Sequence, residues 1–166
     1  MTTTIGSTIT GQVIQLLTGT GGVDSYLTGV TQDNGQPLAP LNAAQVRAQN
    51  VSVEISDQSN TMQYPAVNVY CEKIVNGLLE KFRSFSGTVQ TTIELRHSQD
   101  RLDGLQDALE NYADGIMQVL NGNRGDWGSG MFYCGEYQVV FGAVKHGGRN
   151  FLQVAKIVFE IGVSRS

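Results

Sequence analysis

The sequence predicts an α+β fold: an antiparallel or mixed β-sheet with a long amphipathic helix packed on one face, an N-terminal helix before it and a C-terminal β-hairpin closing it. Three observations carry this expectation. Residues 88–97, TVQTTIELRH, alternate strictly, with Val89, Thr91, Ile93 and Leu95 on one side and Gln90, Thr92, Glu94 and Arg96 on the other. That is the pattern of a half-buried strand. Residues 98–120 repeat apolar side chains at three and four positions, so that Leu102, Leu105, Leu109, Tyr112, Ile116 and Leu120 make one helical stripe. The runs EYQVVFGAVKH and RNFLQVAKIVFEIGV flank Gly147-Gly148, a dipeptide that accepts positive φ at both positions of a tight hairpin turn. The helical stripe needs an apolar sheet face, and the alternating strands supply one.

The other elements follow in order. STITGQVIQLLT, residues 7–18, begins with Ser7 as a cap and sets Ile9, Val13, Leu16 and Leu17 on one helical face, and Gly19, Gly21 and Gly22 end it. Residues 19–40, rich in glycine and threonine with Pro37 and Pro40, predict a long surface loop. Asn42 can cap a short helix through Gln49, residues 51–55 (VSVEI) alternate as a strand, and residues 56–63 form another loop. YPAVNVY, 64–70, reads as a strand with Pro65 at its start, where a missing N–H does least harm. Residues 74–85 are ambiguous: Ile74, Leu78 and Phe82 have helical spacing, but Gly77 weakens a helix. Ser98 is a natural N-cap for the long helix, with Asp100 and Asp103 near the positive end of its dipole. In the hairpin, simple register sets Val144 opposite Phe151 and Val140 opposite Ala155. Phe151, Ala155, Ile157, Phe159, Ile161 and Val163 then share a face broken only by Gln153.

The 166 residues suggest one domain, 1–166, with a helix and loop-rich segment over 1–63 and the α/β core over 64–166. A chain this long buries roughly 68–70% of its unfolded surface and needs no metal or disulfide staple. Charged residues make up 16%, against the usual ~25%, which suits a surface partly covered by a partner. The net charge of −4 argues against wholesale binding of nucleic acid. Residues 1–121 carry six positive and twelve negative side chains, and residues 122–166 five and three. That asymmetry suits head-to-tail contact between copies or an oriented partner. MTTTIGSTIT has no basic start and no apolar run of signal-peptide length, and no stretch approaches a membrane span. Cys71 and Cys134 read as reduced, buried thiols of a cytosolic product. Without secretion the sequon Asn50-Val51-Ser52 is a coincidence, and the integrin-like tripeptide Arg124-Gly125-Asp126 loses its usual context.

Chemistry-bearing motifs are missing where they would be needed. Gly19-Thr20-Gly21-Gly22 lacks the Lys-Ser/Thr of a phosphate loop and trails a helix instead of opening one. Gly128-Ser129-Gly130 lacks the outer spacing of a nucleophile elbow. His97, Ser98 and Asp100 crowd one strand–helix junction, where Ser98 is needed as a cap. His97, His146, Cys71 and Cys134 suffice in number for zinc but have irregular spacing. The carboxylates Asp103, Asp107, Glu110 and Asp114 form an acidic helical stripe, the ordinary pattern of a solvated face. The expectation is a protein without catalytic residues, cofactor or metal. In NGNRGDWGSG, residues 121–130, Gly122 and Gly125 can supply left-handed conformations at the helix stop and Asp126 can accept backbone hydrogen bonds. Trp127, the sole tryptophan, either folds back as an anchor over the core or projects as an interface residue.

Four pieces, YPAVNVYCEKIVNG, FSGTVQTTIELRHSQDRLDGLQDALENYADGI, GDWGSGMFYCGEYQVVF and FLQVAKIVFEIGVS, occur in an order that resembles the tail terminator (tail-completion, or minor tail) proteins of tailed bacteriophages. The resemblance covers about 100 residues, from Tyr64 to Val163, and lies in the ordered set, since no piece is a catalytic fingerprint. It implies a virion protein assembled in the host cytoplasm into a six-fold ring at the tail–neck junction. Such a ring caps the tail tube, stops its polymerisation and presents a surface to neck proteins. In contractile tails it also meets the sheath, and DNA passes through its lumen without sequence-specific contact. The implied partners are further copies of the chain, the tube protein and a neck protein. A ring needs contact between unlike faces of one subunit. The acidic stripe, Asp103, Asp107, Glu110 and Asp114, and the basic hairpin, Lys145, Arg149 and Lys156, are candidate complements, with Trp127 a further interface candidate. The alternatives are another neck or head–tail connector ring, or a small intracellular module that binds a ligand or peptide.

Overall fold

Two long strands form the spine of the molecule. β3 (Phe85–Gln99) and β7 (Asn150–Arg165) pair antiparallel from Phe85 opposite Arg165 to Gln99 opposite Phe151. The structure is a computed structural model that describes residues 3–32, 35–52, 63–147 and 150–166. Its other elements are α1 (Ile5–Thr18), α2 (Val23–Leu27), a 3-10 turn (Ala43–Gln45), β1 (Val46–Arg47), β2 (Ala66–Asn76), α3 (Leu105–Asn121), β4 (Gly125–Gly128), β5 (Met131–Phe141) and β6 (Lys145–Gly147). Among the described residues the sheet has seven strands in the order β1-β2-β3-β7-β5-β4, with β6 beside β5 along the same edge of β7. The β1–β2 pair is parallel and the others are antiparallel, so the sheet is mixed and the fold is α+β.

The three helices lie over one face. Val67, Val69, Ile93, Leu95, Ile157 and Ile161 point into the layer filled by Ile9 and Val13 of α1 and by Leu109, Tyr112 and Ile116 of α3. Residues of the N-terminal segment and of the sheet thus share one core. The expected apolar face of β7 is present from Ala155 to Val163. Its expected interruption, Gln153, is buried, and its Nε2 donates to the Gly142 carbonyl at 3.0 Å and to Gln106 Oε1 of α3.

Several expectations need correction. The long helix spans Leu105–Asn121, not 98–120, because β3 continues through His97, Ser98 and Gln99, which pair with Gln153, Leu152 and Phe151 of the equally long β7. Ser98 is therefore a strand residue. The cap position belongs to Gly104, whose φ of 80° turns the chain into the helix, and Leu102 drops out of the stripe and stays exposed. The ambiguous 74–85 is no helix: β2 runs to Asn76 and residues 77–84 form a hairpin tip. There Gly87 allows the close approach of β2, since a Cβ on it would lie 1.8 Å from the Val75 carbonyl oxygen. Residues 19–40 contain α2, whose Val23 and Leu27 pack at Gly115 of α3, so the segment is not all surface loop. The helix expected over 42–49 shrinks to Ala43–Gln45 with a reciprocal side-chain cap between Asn42 and Gln45. The N-cap of α1 is Thr4, which accepts from the Ser7 amide at 3.0 Å. The strand expected over 51–55 and the loop over 56–63 fall mostly outside the described residues, although Val51 and Ser52 are not in a strand. In the C-terminal hairpin Val140 opposes Lys156, one residue away from the simple register, and His146 opposes Phe151, two residues away from it, and Gly147 pairs with Asn150, so the connection is 148–149 and lies outside the described residues. A shift between Tyr133 and Tyr137 changes the register along β5, so that Tyr133 opposes Ile161 and Tyr137 opposes Phe159.

Candidate functional site

The faces of β3 decide what each side of the sheet can do. Its odd residues line the helix-covered core. Its even residues Thr92, Glu94 and Arg96 were expected in solvent but are buried, because the chain around residues 49–51 lies across that side. Arg96 is the reason it stays there. Its Nη2 stands 2.7 Å from Glu94 Oε1 and donates to the Val51 carbonyl, its Nε donates to Glu94 Oε1 at 2.9 Å, and the Tyr70 hydroxyl donates to Glu94 Oε2 at 2.9 Å. Alternation puts Glu94 and Arg96 side by side on one strand, and β2 brings Tyr70 opposite Thr92 beside them. Burial and the adjacent Glu94 carboxylate push the Tyr70 phenol well above its usual range, so it remains a donor. Gln49 adds a bond from Nε2 to Asn68 Oδ1 at 3.0 Å.

Beside this network lies a concavity of about 470 Å³, lined by Tyr70, Glu94 and Arg96, by the apolar Val140, Leu152 and Val154, and by Lys145 and Lys156 at its margin. Both lysines are exposed. Two of the three candidate basic residues are thus brought to one place on the side of the sheet away from the helices, and Arg149 lies outside the described residues. The acidic candidates sit on the opposite side of the molecule. Asp103 precedes α3, Glu110 and Asp114 are exposed on it and Asp107 is half-buried, while Leu109, Tyr112 and Ile116 turn inward. Among the described residues, the structure does not bring the acidic and basic candidates together.

Trp127 folds back. It lies in β4, half-buried against the core, with its ring 5.5 Å from that of Tyr133 and its Nε1 donating to the Asn123 carbonyl at 2.7 Å. Asp126 Oδ1 accepts from the Gly128 amide at 2.8 Å, the expected turn role, and Gly125 takes a φ of 106°, whereas Gly122 is right-handed. His97 faces α3, its ring 5.4 Å from Tyr112, and burial lowers its pKa to about 4. Its buried Nδ1 has no hydrogen-bond partner among the described residues. Cys71 is half-buried and burial raises its pKa, but Cys134 is exposed, contrary to expectation, because it lies on the outward side of β5. Among the described residues no group of three or more His, Cys, Asp or Glu could hold a metal, and no helix is long and apolar enough to cross a membrane.

Sequence reading missed two features. The Tyr70–Glu94–Arg96 network was hidden because alternation alone assigns those residues to solvent. The hairpin tip was hidden because its apolar residues imitate helical spacing. No protein-family model and no curated protein sequence matches the chain.

Proposed function

We propose that this protein is a virion component that forms a ring at the end of a phage tail tube, stopping tube growth and joining the tail to the neck. The resemblance of residues 64–163 to tail terminators motivates the reading. The observation that carries it in the molecule is the division of charge: Asp103, Glu110 and Asp114 stand over the helical layer, and Lys145 and Lys156 stand on the far side of the sheet. Unlike surfaces on opposite sides suit head-to-tail assembly and contact with two different neighbours. The mechanism is exclusion: once the terminal tube interface is occupied, the next tube subunit has no place to add.

Electron microscopy of lysates from a phage with this gene disrupted tests the reading. Headless tails of uncontrolled, excessive length are expected. Headless tails of normal length would move the protein to another neck ring, and normal infectious particles would overturn the reading. Reversing Lys145 and Arg149 to glutamate is expected to weaken assembly, and unchanged rings and tail joining would remove those residues from the interface. The concavity beside Arg96 favours one rival, a module that binds a ligand or peptide. That rival requires a stable monomer with no place in the particle.

A further inference from the structure

We propose that copies of this chain join edge to edge, the outer half of β2 in one subunit pairing antiparallel with the outer half of β5 in the next, so that the sheet continues across the junction. This deepens the ring reading by naming its contact, but the pairing itself does not depend on where in a particle the ring sits.

Both long strands at the margins of the sheet are only partly covered. β1 pairs with β2 at Val67 and Asn68, and β4 pairs with β5 between Met131 and Tyr133. Among the described residues, Glu72–Asn76 and Glu136–Phe141 have no strand on their outward side. Proteins blunt such edges with charge, proline or extreme shortness, because unpaired N–H and C=O groups recruit another strand. Beside Glu72, Lys73 and Glu136, these edges carry Ile74 and Val75, 51% and 42% exposed, and Val140 and Phe141, 49% and 37% exposed. The tip that prolongs the first edge holds Leu79, 76% exposed, and Phe82, 100% exposed. Phe82 has a φ of 63° and Leu78 one of 49°, a conformation that glycine or asparagine adopts at lower cost. Neither the turn nor the core of one subunit accounts for apolar residues there, whereas burial by a partner does.

Three features point to a second copy as that partner. The two edges belong to one sheet and are unlike, so their contact is heterologous and repeats from subunit to subunit. The strands β2, β3, β7 and β5 alternate in direction, so a copy of β2 placed beside β5 continues that alternation as an antiparallel neighbour. The covers fix a stagger as well. Asn76 is level with Met131 through Gly87 and Val163, and Val67 is level with Phe141 through Leu95 and Ala155. The open stretches are offset along the strands by about four residues, or ~13 Å at the strand rise. A register stagger is what closing a sheet around an axis requires.

The test uses the full chain and two double variants, Ile74→Lys with Val75→Lys on one edge and Gln138→Lys with Val140→Lys on the other, read by light scattering and native mass spectrometry. Wild-type protein is expected to form higher oligomers and each variant to be monomeric. An equimolar mixture of the two variants is expected to give a dimer with one copy of each, because each retains one intact edge. Circular dichroism confirms folding, and hydrogen exchange on the wild type, free of any substitution, is expected to show protection at 72–76 and 136–141 that rises with protein concentration. Wild-type protein that stays monomeric at its solubility limit, variants that assemble like wild type, or a mixture that stays monomeric overturns the proposal. Mixed dimers together with tails of normal length in the disrupted phage would keep this contact and reject the terminator reading. Overlong tails together with normal assembly of both variants would do the reverse.

Discussion

The inner and outer halves of the β2–β3 hairpin share two strands and have opposite surroundings. In the inner half, Val67, Val69, Ile93 and Leu95 are fully buried on one face, and Asn68, Glu94 and Arg96 are buried on the other. In the outer half Ile74, Val75, Leu78, Leu79 and Phe82 are exposed. Glu94 and Arg96 are inside and five large apolar residues outside, so residue type alone does not decide burial along this hairpin. Coverage does: α1 and α3 lie over one side of the inner half and the chain up to Val51 lies across the other, while the outer part of β2 and the tip lie beyond both. A buried ion pair survives there because each partner is satisfied by the other and by fixed neighbours.

The contrast can be broken most strongly at Arg96. Arg96→Ala leaves Glu94 buried without its cation and releases Val51, so it is expected to destabilise by about 3–5 kcal/mol in urea unfolding. A loss below about 1 kcal/mol would mean that the inner half is not held by this pair. Acid provides the next test. The folded pKa of His97, about 4, lies below the ordinary 6.5, so as pH falls the unfolded chain takes up the proton first. The contribution of neutral His97 is complete above pH 6.5, is lost progressively between 6.5 and 4, and levels off below that. The total is on the order of 3 kcal/mol. Replacement by Phe is expected to flatten this part of the stability–pH curve, and an unchanged curve would assign the acid sensitivity elsewhere.

Smaller effects sharpen the comparison. Tyr70→Phe removes one of the donors to Glu94 and is expected to cost about 1–3 kcal/mol, measured by the same unfolding curves. At the outer end, Leu79→Ser and Phe82→Ser are each expected to change the stability of the monomer by less than about 0.5 kcal/mol. A loss of 2 kcal/mol at either position would show that the tip packs into the fold in solution, and the two halves would no longer differ in kind.

Legibility followed the range of the interaction. Alternation in β3 and the apolar repeat of α3 were visible because each is written in successive residues. The start of α3 was not, because Leu102 and Ser98 fit a helix locally, and only the length of β7 makes a strand partner available as far as Gln99. The register of the hairpin failed for a similar reason, since Gly147 pairs with Asn150 instead of forming the turn and pairing in β5 is irregular, and neither leaves an apolar cue. Of the candidate site, the acidic residues were readable as one surface from helical period and Lys145 and Lys156 as one hairpin, but the meeting of that hairpin with Arg96 depends on β3, which is distant in sequence.

By itself the sequence determined the α+β class, the N-terminal helix and the core face of β3 and β7. These follow from periodicity, which each segment expresses through its own backbone geometry. Only the tertiary structure decided that Glu94 and Arg96 are buried, that Trp127 turns inward and that, among the described residues, two sheet edges and an apolar tip stay open. Burial is set by what the rest of the chain places over a residue, and that depends on contacts between segments, which no local pattern records.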